Sequence, residues 1–205
     1  MKREKDPGPK ERILKAAEVI LEEDGYAAIT TRRLGTTAGI NQALVHYHFG
    51  SVGQVMMNVL DRIGQQSDEQ ARKAFDGDSP DAEKWHNYLA TVFSDNVSTG
   101  FAKRWFETVA MAVNDEEMKS RVIPRFEVIL ATYDSHLDGV LEALGFEAAP
   151  SQRLGLAALI QAAIFGMLLE SLVGQEHGRA EMLALFDEIL GFEGAPAKKP
   201  ARKPA

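Results

Sequence analysis

Apolar residues recur along most of the chain at the three- and four-residue spacing that is typical of amphipathic helices. In the first such segment, residues 10–23, the apolar face consists of Ile13, Leu14, Ala17, Ile20 and Leu21. Asp24 and Gly25 end the segment, since glycine is suited to the left-handed cap of a helix. No segment shows the sustained alternation of a strand, so the pattern predicts an all-α fold.

Two short helices are predicted between residues 30 and 48. Thr30 and Thr31 begin the first, because a threonine hydroxyl can accept a hydrogen bond from an unpaired backbone N–H of the first turn. Gly39 permits a sharp turn, and Asn41 is a good N-cap for a second helix that runs to about His48. Two short helices joined by a glycine-containing turn form a helix-turn-helix.

Further helices are predicted up to residue 190. Their approximate ranges are 52–75, 81–98, 101–113, 116–123, 124–144, 151–175 and 179–190. Pro124 is assigned to the first turn of its helix, because a proline in a helix interior removes a hydrogen bond and clashes with the preceding turn. Residues 1–9 and 194–205 are predicted to be a disordered basic arm and a disordered basic tail, since both are too polar to bury a core.

Charge is distributed unevenly along this chain of formal net charge -7. Residues 63–193 carry ten lysines and arginines against twenty-two acidic residues, whereas residues 1–62 carry nine against eight. The acidic part repels nucleic acid, so any contact with nucleic acid belongs to the ends of the chain.

Other functional classes find little support in the sequence. The chain has no cysteine for disulfides or zinc fingers, and it lacks the common hydrolase, metalloprotease, phosphate-loop and dinucleotide motifs. We therefore expect no enzyme, no cofactor and no metal. The apolar stretch 154–173 is interrupted by Gln161 and Glu170, which favours a buried or interface helix over a membrane span. Because the absence of cysteine requires no oxidising compartment, we expect a cytoplasmic location.

The exposed face of the second short helix has the chemistry of a DNA-reading surface. Gln42 can pair with adenine through two hydrogen bonds, and the Ala43 methyl can contact a thymine methyl. His46, Tyr47 and His48 can donate hydrogen bonds to phosphates. In the preceding helix, Arg32 can reach a guanine edge or a phosphate, and Thr31 with the N–H groups around it can hold another phosphate.

Residues 10–60 resemble the DNA-binding domain of the TetR family of transcriptional regulators. The matching positions are Gly25-Tyr26, Thr30 to Arg32, Leu34, Ala38-Gly39-Ile40 and His48-Phe49-Gly50-Ser51. The resemblance implies a helix-turn-helix domain over residues 10–51 and contacts with operator DNA from Thr31, Arg32, Asn41, Gln42, Ala43, His46, Tyr47 and His48.

Three positions depart from the family pattern. His46 stands where a tyrosine is usual and Tyr47 follows it, so which of the two holds phosphate stays open. Leu44 replaces a small hydroxyl residue, and Val52 replaces a lysine, which predicts a shallower salt dependence of binding. Two alternatives also stay open: His48 as a structural residue at the end of its helix, and the basic ends as solubilising segments rather than DNA contacts.

The resemblance also implies a helical ligand-binding and dimerisation domain over residues 52–193. A small apolar or aromatic effector is expected against Trp105, Phe126, Tyr133 and Phe165. The side chains that could add polar contacts, if they face inward, are Asn96, Glu107, His136 and Gln161.

The last two predicted helices carry more apolar surface than one small domain can cover. The apolar residues expected at this surface are Leu156, Leu159, Ile160, Ala163, Ile164, Met167 and Leu168 on the first helix, and Met182, Leu183, Phe186, Ile189 and Leu190 on the second. Pairing them with their copies in a second chain predicts a homodimer, and a dimer predicts a palindromic DNA site. The sequence thus favours a ligand-responsive regulator, most simply a repressor. The alternative is a DNA-binding or architectural protein that takes no ligand.

Overall fold

The computed structural model describes residues 7–191, and these residues form ten α-helices, one short 3-10 helix and no strand. The α-helices are α1 (Pro9–Asp24), α2 (Thr31–Ala38), α3 (Ala43–Phe49), α4 (Val52–Phe75), α5 (Asp81–Ser98), α6 (Phe101–Ala112), α7 (Glu116–Ser135), α8 (Asp138–Ala143), α9 (Pro150–Leu172) and α10 (Arg179–Ile189). The predicted all-α fold is confirmed. The tail 194–205 and most of the arm 1–9 lie outside the described residues.

The chain divides into two compact units. The first contains the residues up to Glu69 together with Asp95–Val128, and the second contains Gln70–Ser94 and the residues from Ile129 onward. The predicted helix-turn-helix domain, residues 10–51, lies wholly within the first unit. The boundary proposed at residue 51 does not coincide with this division and stays a prediction.

The core of the first unit is built on α1. Its predicted apolar face is buried, and so are Leu34 of α2, Val45 of α3 and Leu60 of α4. Arg62 of α4 binds two carboxylates of α1, with 3.1 Å from its Nη1 to Glu11 and 2.9 Å from its Nε to Glu18. Burial raises the pKa of Glu18, and the neighbouring Arg62 opposes that effect.

The core of the second unit is an aromatic cluster of Phe75, Trp85, Tyr88, Tyr133 and His136. The Phe75 and His136 rings stack with their centroids 4.2 Å apart, and the Trp85 and Tyr133 centroids are 5.5 Å apart. The hydroxyl groups of Tyr88 and Tyr133 share a hydrogen bond of 2.8 Å inside the cluster. Burial raises the pKa of Tyr88 to about 12.

Two local predictions were wrong. Pro124 does not begin a helix but lies inside the continuous α7, and α8 is a separate short helix. The burial of Met118 and Val122 before the proline, and the ring contact of Phe126 after it, hold both halves of α7 and offset the lost hydrogen bond. Gly25 follows α1 with φ 78° and ψ 176°, a positive-φ conformation that is essentially restricted to glycine but is not the expected left-handed helical cap.

Helix α9 buries only one of its faces. The buried face consists of Ala157, Ile160, Ile164, Leu168 and Ser171. Leu154, Leu159, Leu169 and the following Val173 are exposed on the remaining surface. By length and composition this helix could cross a membrane, a test that the core helix of a soluble protein also passes. Of its most apolar window, 28% is buried.

Candidate nucleic-acid interface

Helix α2 begins with a side-chain cap. The Thr30 hydroxyl accepts a hydrogen bond of 3.1 Å from the backbone N–H of Arg33, in the geometry of an N-cap. The sequence left open which of two threonines would do this. With Thr30 capping the helix, Thr31 is its first residue and stays half-buried.

The turn between α2 and α3 depends on two glycines. Gly39 has φ 62° and ψ 40°, a left-handed conformation that makes the sharp turn expected here, and Ile40 donates from its N–H to the Gly35 carbonyl at 2.9 Å. A Cβ on Gly35 would lie 3.1 Å from the Gln42 Cα, so this glycine lets α3 begin close to α2. Arg12 of α1 donates to the Gly39 carbonyl at 2.9 Å and thereby holds the turn.

Helix α3 separates apolar from polar side chains. The Asn41 side-chain oxygen accepts a hydrogen bond of 2.9 Å from the Ala43 N–H at the helix start, although the N-cap position itself is held by Gln42 and not, as predicted, by Asn41. Val45 and Phe49 are buried. On the opposite face the structure brings together the exposed side chains of Gln42, Ala43, His46 and Tyr47. Tyr47 is 81% exposed, which is unusual for a large aromatic residue.

The structure constrains how His46 can bind a ligand. Its Nδ1 lies 3.0 Å from the Gly50 carbonyl oxygen, and that oxygen can only accept a hydrogen bond. Nδ1 therefore carries the hydrogen, and Nε2 of the neutral ring is left as an acceptor. A hydrogen bond from Nε2 to a phosphate requires the protonated ring.

The remaining predicted contacts surround α3. His48 is half-buried, and its ring meets the Tyr47 ring edge-on at 5.0 Å. Arg32 is exposed on α2, in an open hollow that is also lined by Thr30, Arg33, Thr36 and Thr37. Arg33, which the sequence left unassigned, forms an ion pair with Asp24 at the end of α1.

Helix α4 starts directly after α3. The Ser51 hydroxyl accepts a hydrogen bond of 3.1 Å from the Gln54 N–H and so caps α4, while Gly50 makes the bend with φ 75°. Val52, where the family pattern has a lysine, is half-buried in the first turn.

The family model described as bacterial regulatory proteins of the tetR family matches residues 13–53. These are the residues from the buried face of α1 to the first turn of α4. Residues 13–53 thus match the DNA-binding domain of TetR-family regulators. The resemblance inferred from the sequence is confirmed.

Solved structures share the fold of this chain over most of its length. A Rhodococcus sp. protein named as a TetR-family transcriptional regulator is 17% identical and superposes with a TM-score of 0.74, covering 89% of this chain and 98% of its own. A TetR transcriptional regulator from Legionella pneumophila is 22% identical, with a TM-score of 0.71 and coverage of 90% and 98%. Salmonella enterica GusR is 16% identical, with a TM-score of 0.68 and coverage of 94% and 98%. No curated protein sequence matches the chain.

Several residues of this TetR-type domain were not singled out by sequence. Thr36 and Thr37 add hydroxyl groups beside Arg32, and a helical wheel of α2 would have found them. Lys10 lies over the Phe49 ring, 5.7 Å from its centroid, and Arg12 binds the turn. No local spacing signals these two contacts, because each joins α1 to residues 27 or more positions away.

The predicted effector residues fall into separate groups. Trp105 and Phe126 are in contact within the first unit, with ring centroids 5.3 Å apart. Tyr133 belongs to the aromatic cluster of the second unit, and Phe165 is half-buried on α9. None of these placements tests a role in ligand binding, and the four residues stay a prediction.

Two of the proposed polar contacts have other partners. The Glu107 carboxylate accepts a hydrogen bond of 3.2 Å from the Tyr26 backbone N–H. His136 stacks on Phe75, and its Nδ1 lies 2.8 Å from the Thr132 carbonyl oxygen. Asn96 is buried, and Gln161 is half-buried.

Proposed function

We propose that this chain is a transcriptional repressor that binds a palindromic operator as a homodimer and releases it when a small apolar or aromatic effector binds. The coarser function, a DNA-binding regulator of the TetR family, rests on the family match and the fold. The single observation that carries the finer proposal is the exposed polar face of α3, which a helix-turn-helix presents to the major groove.

The proposed base contacts come from the start of α3. Gln42 and Ala43 are exposed there, next to the open hollow at Arg32. We assign sequence discrimination to these three residues, and we assign positioning on phosphates to Thr31, His46, Tyr47 and His48. Asn41 combines its hydrogen bond at the start of α3 with a place at the same surface.

The proposed dimer pairs α9 and α10 with their copies. Small residues follow one another along the exposed side of α9, at Ala158, Ala162 and Gly166, and leucines flank them. Small residues permit close approach of two helices, and burial of the leucines provides the hydrophobic stabilisation. This exposed side, rather than Ile160, Ile164 and Leu168 of the buried face, is the surface we propose for the interface.

The proposed response to an effector uses α4. This helix begins at the Gly50-Ser51 bend after the recognition helix and continues without interruption to Phe75. A change in its direction alters the separation of the two recognition helices in a dimer. Coupling free energies of about 1 to 3 kcal/mol are usual for such linkage and correspond to about 5- to 150-fold in affinity.

Selection of bound DNA from a random pool tests the function directly. The proposal expects an inverted repeat whose half-site centres are about 34 Å apart. Placed before a reporter promoter, this sequence should lower expression when the protein is present, whereas increased expression would contradict the repressor role. A thermal-shift screen with apolar compounds separates this function from a DNA-binding protein without a ligand, since an effector must raise the midpoint.

A further inference from the structure

We infer that Arg104 and Glu107 of α6 are positioning residues for the DNA-reading surface, because they hold the segment that leads into α2. This inference deepens the proposed function and rests on it. It adds a second physical connection to the reading surface beside α4.

The acidic charges at the C-terminal end of α1 are electrostatically unfavourable by themselves. Its last turn carries Glu22, Glu23 and Asp24 and no basic residue. Negative charges at the C-terminus of a helix are disfavoured, because the helix dipole already places partial negative charge there. The last carbonyl groups of the helix also lack partners within the helix.

Cations from α6 and α2 compensate these charges. Arg104 Nη1 lies 2.6 Å from the Glu22 carboxylate, and Lys103 donates to the Glu23 carbonyl at 3.4 Å. Asp24 is paired with Arg33 of α2. Two consecutive residues of α6 therefore bind the end of α1, and a residue of the DNA-reading helix binds the next position.

The fit between α6 and α1 is close. Gly100, the N-cap of α6, has φ 69°, and a Cβ at this position would overlap with the Glu22 carboxylate. Glu22 thus lies against the positive end of the α6 dipole as well as against Arg104. A substitution at Gly100 would displace this carboxylate.

The Glu107 side chain holds the next segment, residues 25–28, by a hydrogen bond from the backbone of that segment. One turn after Lys103 on α6, its carboxylate accepts the 3.2 Å hydrogen bond from the Tyr26 N–H, at the start of the 3-10 helix Tyr26–Ala28. Only two residues, Ile29 and Thr30, separate this 3-10 helix from α2. The direction in which the chain enters α2 therefore depends on α6.

The same helix also carries Trp105, whose ring contacts Phe126. A shift of α6 would move Trp105 and the two positioning residues together, since Trp105 follows Arg104 directly in one rigid helix. The connection that we infer thus runs from α6, through residues 22–26 and the Asp24–Arg33 pair, to the helix that carries Thr31 and Arg32.

The test compares Glu107→Ala with Glu107→Gln. The alanine variant removes the acceptor for the Tyr26 N–H, whereas the glutamine variant keeps an oxygen in the same place. Glu127→Ala, at an exposed residue of α7, is the control for loss of one negative charge. Each variant is measured against DNA that the wild-type protein selects from a random pool.

We expect Glu107→Ala to weaken binding about fivefold, with the same base preference as the wild type. Amide exchange over residues 25–29 should become faster. The chain has no cysteine, so a spin label at an introduced Thr37→Cys can report the distance between the two copies of α2, and this distance should shift or broaden. Glu107→Gln and Glu127→Ala should match the wild type in affinity and distance.

Faster exchange in Glu107→Ala with unchanged affinity and unchanged label distance would overturn the inference, because the bond would then be lost without consequence. If this variant does not fold, Glu22→Gln removes the charge partner of Arg104 at a side chain that is 40% exposed, and the same outcomes apply. A wild-type protein that selects no DNA would refute the proposed function itself. If the wild-type protein selects DNA and every variant has wild-type affinity and label distance, only the role of α6 is refuted.

Discussion

The recognition helix α3 and the penultimate helix α9 both leave one side uncovered, but the uncovered sides differ in chemistry. The exposed side of α3 carries an amide, an imidazole and a phenol beside one methyl group, and all four side chains are exposed to solvent. The exposed side of α9 carries leucine, alanine and glycine, and Leu159 is 69% exposed. Water stabilises the first surface and not the second.

This difference indicates different kinds of partner. A polar surface can exchange water for phosphates and base edges with little hydrophobic gain, and its affinity then depends on salt and on hydrogen-bond geometry. An apolar side of a long helix gains by excluding water, which a second copy of the same helix does symmetrically. Four predictions test this contrast, from the largest expected effect to the smallest.

Replacing Leu159 by arginine should disrupt self-association. In the proposed dimer the change introduces two charges into an apolar interface, so we expect the dimer dissociation constant to rise by more than about 100-fold. Sedimentation at several concentrations measures it. Val113→Arg is the matched control, since Val113 is 66% exposed but lies outside α9 and α10. Equal behaviour of the two variants would remove α9 from the interface.

Replacing Gln42 by alanine should relax base preference on α3. Loss of a bidentate contact costs about 1 to 3 kcal/mol of discrimination at one base pair, with little change on sites that lack the preferred base. Repeated selection from the random pool measures the preference. Gln65→Ala, at an exposed position of α4, should keep the wild-type preference. If the Gln42 variant loses affinity for all DNA sites equally, Gln42 does not read a base.

Tyr47→Phe removes a hydroxyl group from the same face and should weaken all DNA sites evenly. We expect the dissociation constant for DNA to rise about three- to tenfold, which is the effect of losing one hydrogen bond to a charged phosphate. Affinities on the preferred site and on unrelated DNA, each over a series of salt concentrations, test this. A selective loss on the preferred site would mean that Tyr47 reads a base.

Replacing His46 by glutamine should weaken binding to every DNA site slightly. Nδ1 of this ring is held by the Gly50 carbonyl, so Nε2 is the ring atom that is left to face DNA. We expect the dissociation constant to rise by about two- to fivefold on every sequence, since a contact with a phosphate positions the helix without reading a base. A loss confined to one base pair of the site would instead mean that Nε2 accepts a hydrogen bond from a base.

Local patterns predicted the helix-turn-helix well and the rest of the chain less well. The side-chain acceptor that Asn41 provides at the start of α3 and the sharp turn at Gly39 follow from requirements that lie within a few residues of each position. The segregation of Val45 from Gln42 follows from the helical period. These features could be deduced because the interacting groups are close in sequence.

The helical period, the helix-turn-helix and the uneven charge were therefore determined by the sequence by itself. Only the tertiary structure decided that Pro124 lies within α7, that Glu107 binds the Tyr26 N–H and that Tyr133 pairs with Tyr88. The two pairings join residues 81 and 45 positions apart. No spacing rule relates such positions, because packing of whole helices brings them together and also stabilises a local departure such as a proline inside a helix.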